Sequence, residues 1–428
     1  MLWIRNALYL VAAVVAVIPL LVRYVRTGKR VANLWTKLTG RVRYTPAATR
    51  PIWIHAVSVG EVLQTRPLID ALRRRDPSQP IVLSVSTASG WKLARERFSD
   101  CQVVPFPFDF SWAVGTALQR VNPRAVVLIE LELWPNFLAV AAARSIPVSV
   151  ISGRLSERSF AGYSRVRPII GPMLRSLSTI AVQTESYRDR FIALGAAADA
   201  VRVTGSLKHD CLPAGRGGPA VHSLRRELGI GSGEVVLVAG STHETEEVAV
   251  LQAYRQMIRD GVIVRLVVVP RHPERFDSVC QDIEQTGISC CRRSHGRLAA
   301  TGEIILLDTV GELATCWQLA DIAFVGGSLT QRGGQNMLEP AATGAAVLFG
   351  PNVWNFPRES SGLLASGGAI SVADASELAS EFGYLAQHPQ RRAELARGAE
   401  MFVRTLSGCA EQAARELLPD AESARKAA

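Results

Sequence analysis

The segment HAVSVGE (residues 55–61) places a glutamate directly after an apolar, strand-forming run and a glycine turn. Parallel strands of this kind end at the sheet edge where open α/β sheets bind their ligands. Glu61 is the first acidic residue of the chain, and a carboxylate at that edge is a candidate catalytic base. A helix starting here explains Glu61 equally well, because a carboxylate stabilises the positive end of a helix dipole.

Two more glutamates, Glu130 and Glu132, follow another apolar run in LIELELWPN (128–136). Alternation along a strand would direct both side chains to one face. Charges there are costly unless they are paired or functional, and Arg154 in GRLSERS is the expected counter-charge. A structural ion pair is the alternative to a catalytic role.

Lys208 in GSLKHD is expected near the ligand, and a lysine in solvent is its alternative.

A glycine-rich loop marks the second half of the chain, in FVGGS (324–328) and GGQNMLEP (333–340). Glycines let backbone N–H groups approach a phosphate, and a helix beginning near Asn336 would add a partial positive charge. Glu339 has two interpretations: it accepts hydrogen bonds from a ribose, or it completes a capping box with Asn336.

Two other junctions between strand and helix carry candidate ligand contacts. Pro270 and Arg271 follow an apolar run, and a guanidinium there is suited to a phosphate or a carboxylate, although a surface arginine is the commoner case. Val310, Gly311 and Glu312 could contact a base or ribose, or could simply start a helix capped by Asp308 or Thr309. We interpret His272 as a turn residue and STHETEE (241–247) as a helix start explained by stability alone.

Several enzyme classes lack their motifs in this sequence. It contains no D-x-D, no G-x-S-x-G, no Walker A loop and no G-x-G-x-x-G after the first strand. No group of His, Asp, Glu or Cys has metal-ligand spacing. We therefore expect no metal and no other cofactor, and neither a hydrolase, an NTPase nor a dinucleotide oxidoreductase.

The alternation of apolar runs and helix-length segments predicts two Rossmann-like domains with parallel sheets. A Gly- and Pro-rich linker at 212–219 separates them, and the active site is expected in the cleft between them. Predicted strands occupy 51–57, 81–86, 102–105, 125–129, 147–151, 179–183, 235–239, 263–269, 303–307, 322–325 and 345–349.

The net charge of +10 is concentrated near the N-terminus. Residues 1–60 contain nine Lys or Arg and no acid, which leaves +1 for residues 61–428 and argues against nucleic acid. The apolar run 7–22 precedes most of these cations, which predicts a membrane anchor with the enzyme in the cytoplasm. A cleaved signal peptide is disfavoured, and spanning or embedding in one leaflet are both open. The seven cysteines are interpreted as reduced.

Taken together, the motifs resemble one family across nearly the whole chain. HAVSVGE, ELELWPN, GRLSERS, GSLKHD, STHETEE, VPRHPERF, DTVGEL and FVGGS with GGQNMLEP are similar to the 3-deoxy-D-manno-octulosonic acid (Kdo) transferases. The resemblance implies a GT-B-type α/β fold, CMP-Kdo as donor, and the lipid A precursor as acceptor. It also implies lipopolysaccharide biosynthesis at the cytoplasmic face of a bacterial inner membrane. The expected organisation is an anchor with basic flank (1–28), an acceptor-side domain (29–211) and a CMP-Kdo-binding domain (212–428).

The same resemblance assigns roles to individual residues. It implies that Glu61 is the general base and that Glu130 and Lys208 stabilise the transition state. It places the CMP-binding positions at Pro270, Arg271, Val310, Gly311, Glu312, Asn336, Met337, Leu338 and Glu339. The usual family sequence ERGGHN reads QRGGQN here, with Gln331 and Gln335, so two titratable groups are missing. The basic stretch 29–43 also departs from the family pattern.

Two other functions are compatible with these residues. One is an enzyme of the same fold that uses another nucleotide sugar, such as a UDP-sugar transferase or epimerase. The other is a non-catalytic membrane scaffold, which the intact Glu61 and glycine loop disfavour.

Overall fold

The computed structural model describes residues 6, 33–213 and 215–419, which form two compact units. The first unit comprises residues up to Cys211 together with those from Ser407 onward, and the second spans Leu212–Leu406. The second unit therefore ends before residue 428, the predicted end of the second domain. Residues from Ser407 belong to the first unit because their small apolar side chains pack into its core.

The first unit contains a sheet of seven parallel strands in the order β3-β2-β1-β4-β5-β6-β7. Strands β1, β2 and β4 are buried along their whole length, which explains why their sequences are almost continuously apolar. The strands are β1 Ile52–Ala56, β2 Ile81–Val85, β3 Gln102–Pro105, β4 Ala125–Ile129, β5 Val148–Gly153, β6 Thr179–Val182 and β7 Val201–Val203.

Helices cover both faces of this sheet. They are α1 Leu34–Thr39, α2 Val59–Arg75, α3 Ala88–Arg97, α4 Ser111–Val121, α5 Pro135–Ala143, α6 Glu157–Arg165, α7 Arg167–Arg175, α8 Glu185–Leu194, α9 Leu207–Asp210 and, at the end of the chain, α18 Cys409–Leu417. Hydroxyl N-caps start several of them; Ser58 begins α2 and Thr87 begins α3. The Asp109 carboxylate accepts hydrogen bonds from the N–H groups of Asn136 and Phe137 at the start of α5.

The second unit contains another seven-stranded parallel sheet, in the order β10-β11-β9-β8-β12-β13-β14. Its strands are β8 Val236–Thr242, β9 Arg265–Pro270, β10 Cys290–Arg292, β11 Ile304–Leu306, β12 Ile322–Val325, β13 Ala346–Phe349 and β14 Ala369–Ser371. Its helices are α10 Pro219–Glu227, α11 Glu246–Arg259, α12 Phe276–Gln285, α13 Leu313–Trp317, α14 Leu338–Ala342, α15 Pro357–Ala365, α16 Ala375–Gln387 and α17 Pro389–Leu406. The predicted fold class, two parallel-sheet α/β domains, is confirmed.

Each sheet has one place where the strand order reverses direction. In the first sheet it lies between β1 and β4, and in the second between β8 and β12. The loops after such a pair of strands leave toward opposite sides and open a crevice at their carboxyl ends. These two switch points are therefore where ligand-binding side chains are expected.

The predicted linker at 212–219 is partly fixed to the second unit. The Arg216 guanidinium pairs with Asp321 at 2.7 Å and donates to the carbonyls of Ala320, Thr343 and Gly344. The segment around Arg216 is therefore held by one side chain, and helix α10 begins at Pro219, the last residue of the predicted linker.

The predicted membrane anchor at residues 7–22 lies outside the described residues. Among those that are described, no helix has both the length and the apolar character needed to cross a bilayer.

Candidate active site

Glu61 lies in the first turn of α2, directly after β1 at the switch point of the first sheet. Its two carboxylate oxygens accept hydrogen bonds from the Val57 N–H and the Ser58 hydroxyl, both at 2.8 Å. Ser58 in turn accepts the Glu61 N–H. This is a capping-box arrangement, so the helix-stabilising explanation of Glu61 is correct as far as it goes. An ionised carboxylate offers about four acceptor positions, so two of them stay available to a ligand.

Glu130 follows β4, the strand beside β1, and pairs with Lys208 at the start of α9 at 3.3 Å. The expectation that Glu130 and Glu132 share one strand face was wrong, because β4 ends at Ile129 and Glu130 has a left-handed φ of 62°. The expected counter-charge, Arg154, was also wrong: its side chain is exposed and forms no ion pair among the described residues. Lys208 supplies that charge instead.

Glu132 has the strongest electrostatic perturbation near this site. Burial, then the charges of Glu61 and Glu130, raise the pKa of Glu132 to about 7, while the Trp134 indole opposes the shift. Burial and the Glu132 charge also raise the pKa of the Tyr163 phenol. Three carboxylates therefore meet at the carboxyl ends of β1 and β4, with one lysine to offset their charge.

In the second unit, Arg271 and Glu339 lie at the carboxyl edge of the second sheet and interact electrostatically. Arg271 follows β9, and its N–H donates to the Thr242 carbonyl at 2.9 Å. Glu339 lies in α14, where burial raises the pKa of its carboxyl, opposed by the hydrogen bond from Asn336 and the charge of Arg271. Asn336 accepts the Leu338 N–H at 3.1 Å and donates to Glu339 at 3.0 Å. The N-cap of α14 is nevertheless Met337, which makes no side-chain cap hydrogen bond, so the expected capping box does not form and the two side chains are simply bonded to one another.

The loop after β12 does not present free N–H groups in the way that its glycines suggested. The N–H groups of Gly327, Ser328 and Leu329 all donate to the carboxylate of Glu246, at 2.7 to 2.9 Å. Glu246 is fully buried at the start of α11 and also accepts the N–H of His243. A carboxylate of the protein itself therefore occupies the concave backbone that was predicted to hold a phosphate.

The turn after β11 has Val310 at its tip, with 81% of the residue exposed, and Gly311 with a φ of 96°. Glu312 accepts a hydrogen bond from the Thr309 hydroxyl and pairs with Arg293 at 3.2 Å. Helix α13 has no side-chain cap at its start, and Asp308 instead pairs with Arg292. The simple capping explanation of this turn therefore fails, which leaves the exposed tip available to a ligand.

Comparison with known proteins identifies the family of this chain. Residues 33–211 match the family described as "3-Deoxy-D-manno-octulosonic-acid transferase (kdotransferase)". The chain is 31% identical to the 3-deoxy-D-manno-octulosonic acid transferase of Bordetella pertussis over 409 residues, 90% of this chain and 92% of that one. The chain belongs to the Kdo transferase family. The Haemophilus influenzae 3-deoxy-D-manno-octulosonic acid transferase is 32% identical over 77% of this chain and 78% of its own.

Solved structures with the same fold extend the comparison to the whole architecture. The Kdo transferase chain matches the UDP-GlcNAc 2-epimerase of Neisseria meningitidis with a TM-score of 0.57 and 13% identity, over 86% of this chain and 100% of that one. It matches a glycosyltransferase of Rickettsia africae with a TM-score of 0.54 and 10% identity, over 88% and 100%. At these identities the likeness shows the fold alone. The sequence relatives do not favour the UDP-sugar alternative.

The predicted site residues of the Kdo transferase fall into three local groups. Glu61, Glu130 and Lys208 meet at the first switch point. In the second unit, one group surrounds Arg271 and the other lies at the turn after β11. The group around Arg271 consists of Pro270, Arg271, Asn336 and Glu339. The group at the turn after β11 consists of Val310, Gly311 and Glu312.

Two of the predicted CMP contacts have side chains that face away from solvent. Met337 and Leu338 are at most 3% exposed and belong to the core of the second unit. Their side chains pack there, so any ligand contact must come from their backbone.

Two acids at these sites, Glu132 and Glu246, carry no sequence signal that assigns them a role there. Glu132 was seen only as the companion of Glu130, and the burial that perturbs it depends on the fold. Glu246 was placed in a helix start explained by stability. Its position three residues after His243 is the signal that could have found its capping role.

Proposed function

We propose that this Kdo transferase moves Kdo, with inversion, from CMP-Kdo to a hydroxyl of the lipid A precursor in lipopolysaccharide biosynthesis. CMP-Kdo is the donor substrate, and no metal or other cofactor takes part. The observation that carries the proposal is the placement of Glu61. It lies at the first switch point, with both oxygens held by hydrogen bonds and free acceptor capacity remaining.

Glu61 removes the proton of the attacking hydroxyl. The Val57 N–H and the Ser58 hydroxyl orient the carboxylate, so one of its free lone pairs can accept the proton as the C–O bond forms at the anomeric carbon. The electron pair of the breaking bond between the anomeric carbon and the phosphate oxygen leaves with CMP. Attack opposite to the leaving group inverts the anomeric configuration.

The leaving phosphate gains negative charge during this step, so fixed cations near it lower the barrier. Arg271 is exposed at the edge of the second sheet and forms no ion pair among the described residues. It is the candidate counter-charge. Glu339 and the exposed tip at Val310 and Gly311 provide the contacts for ribose and base.

Glu130 and Lys208 prepare the sugar for transfer. In the protein alone they neutralise one another at 3.3 Å, with half of the Lys208 side chain exposed. The ammonium can therefore turn to the carboxylate of Kdo when the donor binds. Glu130 then faces the positive character that develops on the sugar ring in the transition state.

The test uses purified full-length protein with CMP-Kdo and lipid A precursor, and mass spectrometry of the lipid product. We expect Glu61→Gln to lower the turnover number about 100-fold or more, because an amide cannot accept the proton. Glu96→Gln on α3 is the matched control, since Glu96 is exposed and its ion pair, at 3.9 Å, is with Lys92 of its own helix. Melting temperatures of both variants separate loss of the base from loss of the helix cap.

Two results would contradict parts of the proposal. Near-parental turnover in Glu61→Gln would remove its role as base. A parental protein that adds sugar from UDP-sugars but not from CMP-Kdo would replace the donor and revive the alternative enzyme.

For localisation, we propose an N-terminal anchor in the inner membrane with both units on the cytoplasmic side. The apolar run 7–22 and the cations after it support this. Flotation of the full chain with vesicles should be lost when residues 1–32 are removed. Equal flotation of the shortened chain would contradict the anchor.

A further inference from the structure

His243 lies at the switch point of the second sheet. It directly follows β8, and the loop Gly326–Gly327 follows β12, the strand next to β8. The two loops touch: a Cβ on Gly326 would lie 2.4 Å from the Ser241 carbonyl oxygen, so only glycine fits there. His243 thus has in the second sheet the same topological position that Glu61 has in the first.

The Nε2 atom of the His243 ring makes no hydrogen bond with the described residues. The residue is 8% exposed, and Nε2 is buried without a hydrogen-bond partner among the described residues. Its backbone, by contrast, is bonded to Glu246: the His243 N–H donates to the carboxylate at 2.9 Å, and the His243 carbonyl accepts the Glu246 N–H at 3.0 Å. Because a buried polar atom without a partner is unfavourable, such atoms are rare in proteins and call for an explanation.

Several basic side chains and one buried carboxylate, that of Glu246, act on the ring. His272 lies edge-on to His243, with 5.3 Å between the ring centroids. Burial lowers the pKa of His243, the charges of His272, Arg332 and Arg271 lower it further, and Glu246 opposes them. Neither Arg271 nor Arg332 forms an ion pair with any residue the structure describes. A neutral imidazole near two guanidiniums that make no ion pair among the described residues is suited to an anionic ligand, because it adds a donor without adding a third charge.

The Gln335 side chain lies beside the same glycine as the His243 ring. A Cβ on Gly327 would lie 3.4 Å from both His243 Cδ2 and Gln335 Nε2, so the amide of Gln335 and the imidazole flank this glycine. Within the described part of the chain, the side chains of Gln335 and Arg332 make no hydrogen bond. Both side chains are long and have several rotatable bonds, and neither is fixed in one position by a hydrogen bond within the described residues.

We propose that His243 donates a hydrogen bond from Nε2 to the phosphate of the nucleotide donor, with Arg271 and Arg332 supplying the opposing charge. The inference rests on the proposed function for the identity of the donor. It adds His243 and Arg332 to the binding residues implied by the family resemblance. The N–H groups of the glycine loop already donate to Glu246, so the phosphate needs another donor, and His243 supplies it.

The experiment measures equilibrium binding of CMP and of cytidine to the full-length protein by calorimetry. In His243→Ala we expect CMP binding to weaken about tenfold, the usual effect of losing one hydrogen bond to a charged group, and cytidine binding to stay unchanged. His243→Asn, which retains an N–H donor, should recover part of the loss. His222→Ala is the matched control, because His222 is an exposed histidine of the same unit.

Arg332→Gln provides a second variant at an exposed side chain that makes no hydrogen bond or ion pair among the described residues, and it should also weaken CMP more than cytidine. Equal losses for CMP and cytidine, or unchanged CMP binding in both variants, would overturn the proposal. So would a loss confined to intact CMP-Kdo, because the sugar would then be the group contacted. If the parental protein binds UMP but not CMP, with the same dependence on His243, the proposed donor fails while the phosphate contact stands.

Discussion

The ionisation of Glu132 makes the charge near the proposed base, Glu61, depend on pH. Its pKa of about 7 means that the cluster formed with Glu61 and Glu130 changes charge near neutral pH. The neighbouring Lys208 offsets only one of these charges. The base proposed for the reaction therefore works beside a carboxyl group whose ionisation changes the local field.

This cluster predicts a pH-dependent effect on stability. The pKa of Glu132 in the folded state, about 7, lies above its ordinary value of 4.5. Glu132 therefore favours folding fully below pH 4.5, and this contribution is lost as the pH rises through about 7. Glu132→Gln stays neutral, so its melting temperature should exceed that of the parent by about 3 °C at pH 8. That difference corresponds to about 1 kcal/mol after solvent screening.

Differential scanning calorimetry between pH 4.5 and pH 8 checks this prediction. The difference between variant and parent should vanish at the acid end. The exposed Glu96→Gln should show no such trend. A difference for Glu132→Gln that is the same at every pH would mean that lost packing, and not ionisation, causes it.

Sequence patterns predict which residues lie at the site, but they do not predict which of those residues pair with one another. Glu61, Glu130 and Arg271 were found because each follows an apolar run, and the edge of a parallel sheet gathers such residues. The partner of Glu130 was missed because Arg154 was chosen by its place in a motif. The ion pair with Lys208 instead joins the loop after β4 to α9, and no local spacing reveals that contact.

At the scale of elements, the Glu246 carboxylate joins α11 to the loop after β12. It accepts four backbone N–H groups, two at each carboxylate oxygen. Strand β8 ends and α11 begins around this group, so it fixes the loops at the second switch point. Glu246 is thus a positioning residue for the proposed nucleotide site.

Glu246→Gln should destabilise the second unit and loosen this loop. A glutamine amide has one accepting oxygen and one NH2 group in place of the two carboxylate oxygens. The two backbone N–H groups that donate to the replaced oxygen would therefore lose their acceptor. Two charge-assisted hydrogen bonds of about 1.5 kcal/mol each suggest a loss of about 3 kcal/mol in the free energy of unfolding. Amide hydrogen exchange at Gly327, Ser328 and Leu329 should become faster. Glu244→Gln is the control, since the Glu244 side chain is 83% exposed; equal exchange rates in the two variants would refute the role of Glu246.

The strands with long apolar runs were predicted correctly from the sequence, and the short strands at the sheet edges were not. All eleven predicted strands are present, because an apolar run buried on both faces is unmistakable in a parallel sheet. Three strands, β7, β10 and β14, were not among the predicted ranges. Each has three residues at a sheet edge, and each is only partly buried, so none has an apolar run to detect. The glycine loop was misinterpreted because its N–H partner, Glu246, lies 81 residues earlier in the sequence.

At the scale of the whole chain, the first unit is completed by residues from its far end. Helix α18 buries one face in the core beside α2, through Cys409, Ala410, Ala413, Ala414 and Leu417. Asp210 accepts the N–H groups of Gly408 and Ala410, and Arg75 donates to the Leu418 carbonyl at 2.9 Å. The apolar spacing of α18 predicts an amphipathic helix, but no periodicity tells which of the two sheets it covers.

A chain that ends at Leu406 should therefore lose stability in its first unit, although every residue of the second unit is still present. Removing one buried leucine, one cysteine and three alanines forfeits about 5 kcal/mol of apolar burial, a large part of the stability of an ordinary domain. A chain that ends at Pro419 keeps all the contacts described for α18 and serves as the control. Calorimetry should show the transition of the first unit lowered by more than 10 °C in the shorter chain, and Kdo transfer should fall with it because Glu61 and Glu130 belong to that unit. If both chains melted together within a degree, the last helix would contribute nothing to the core that surrounds β1.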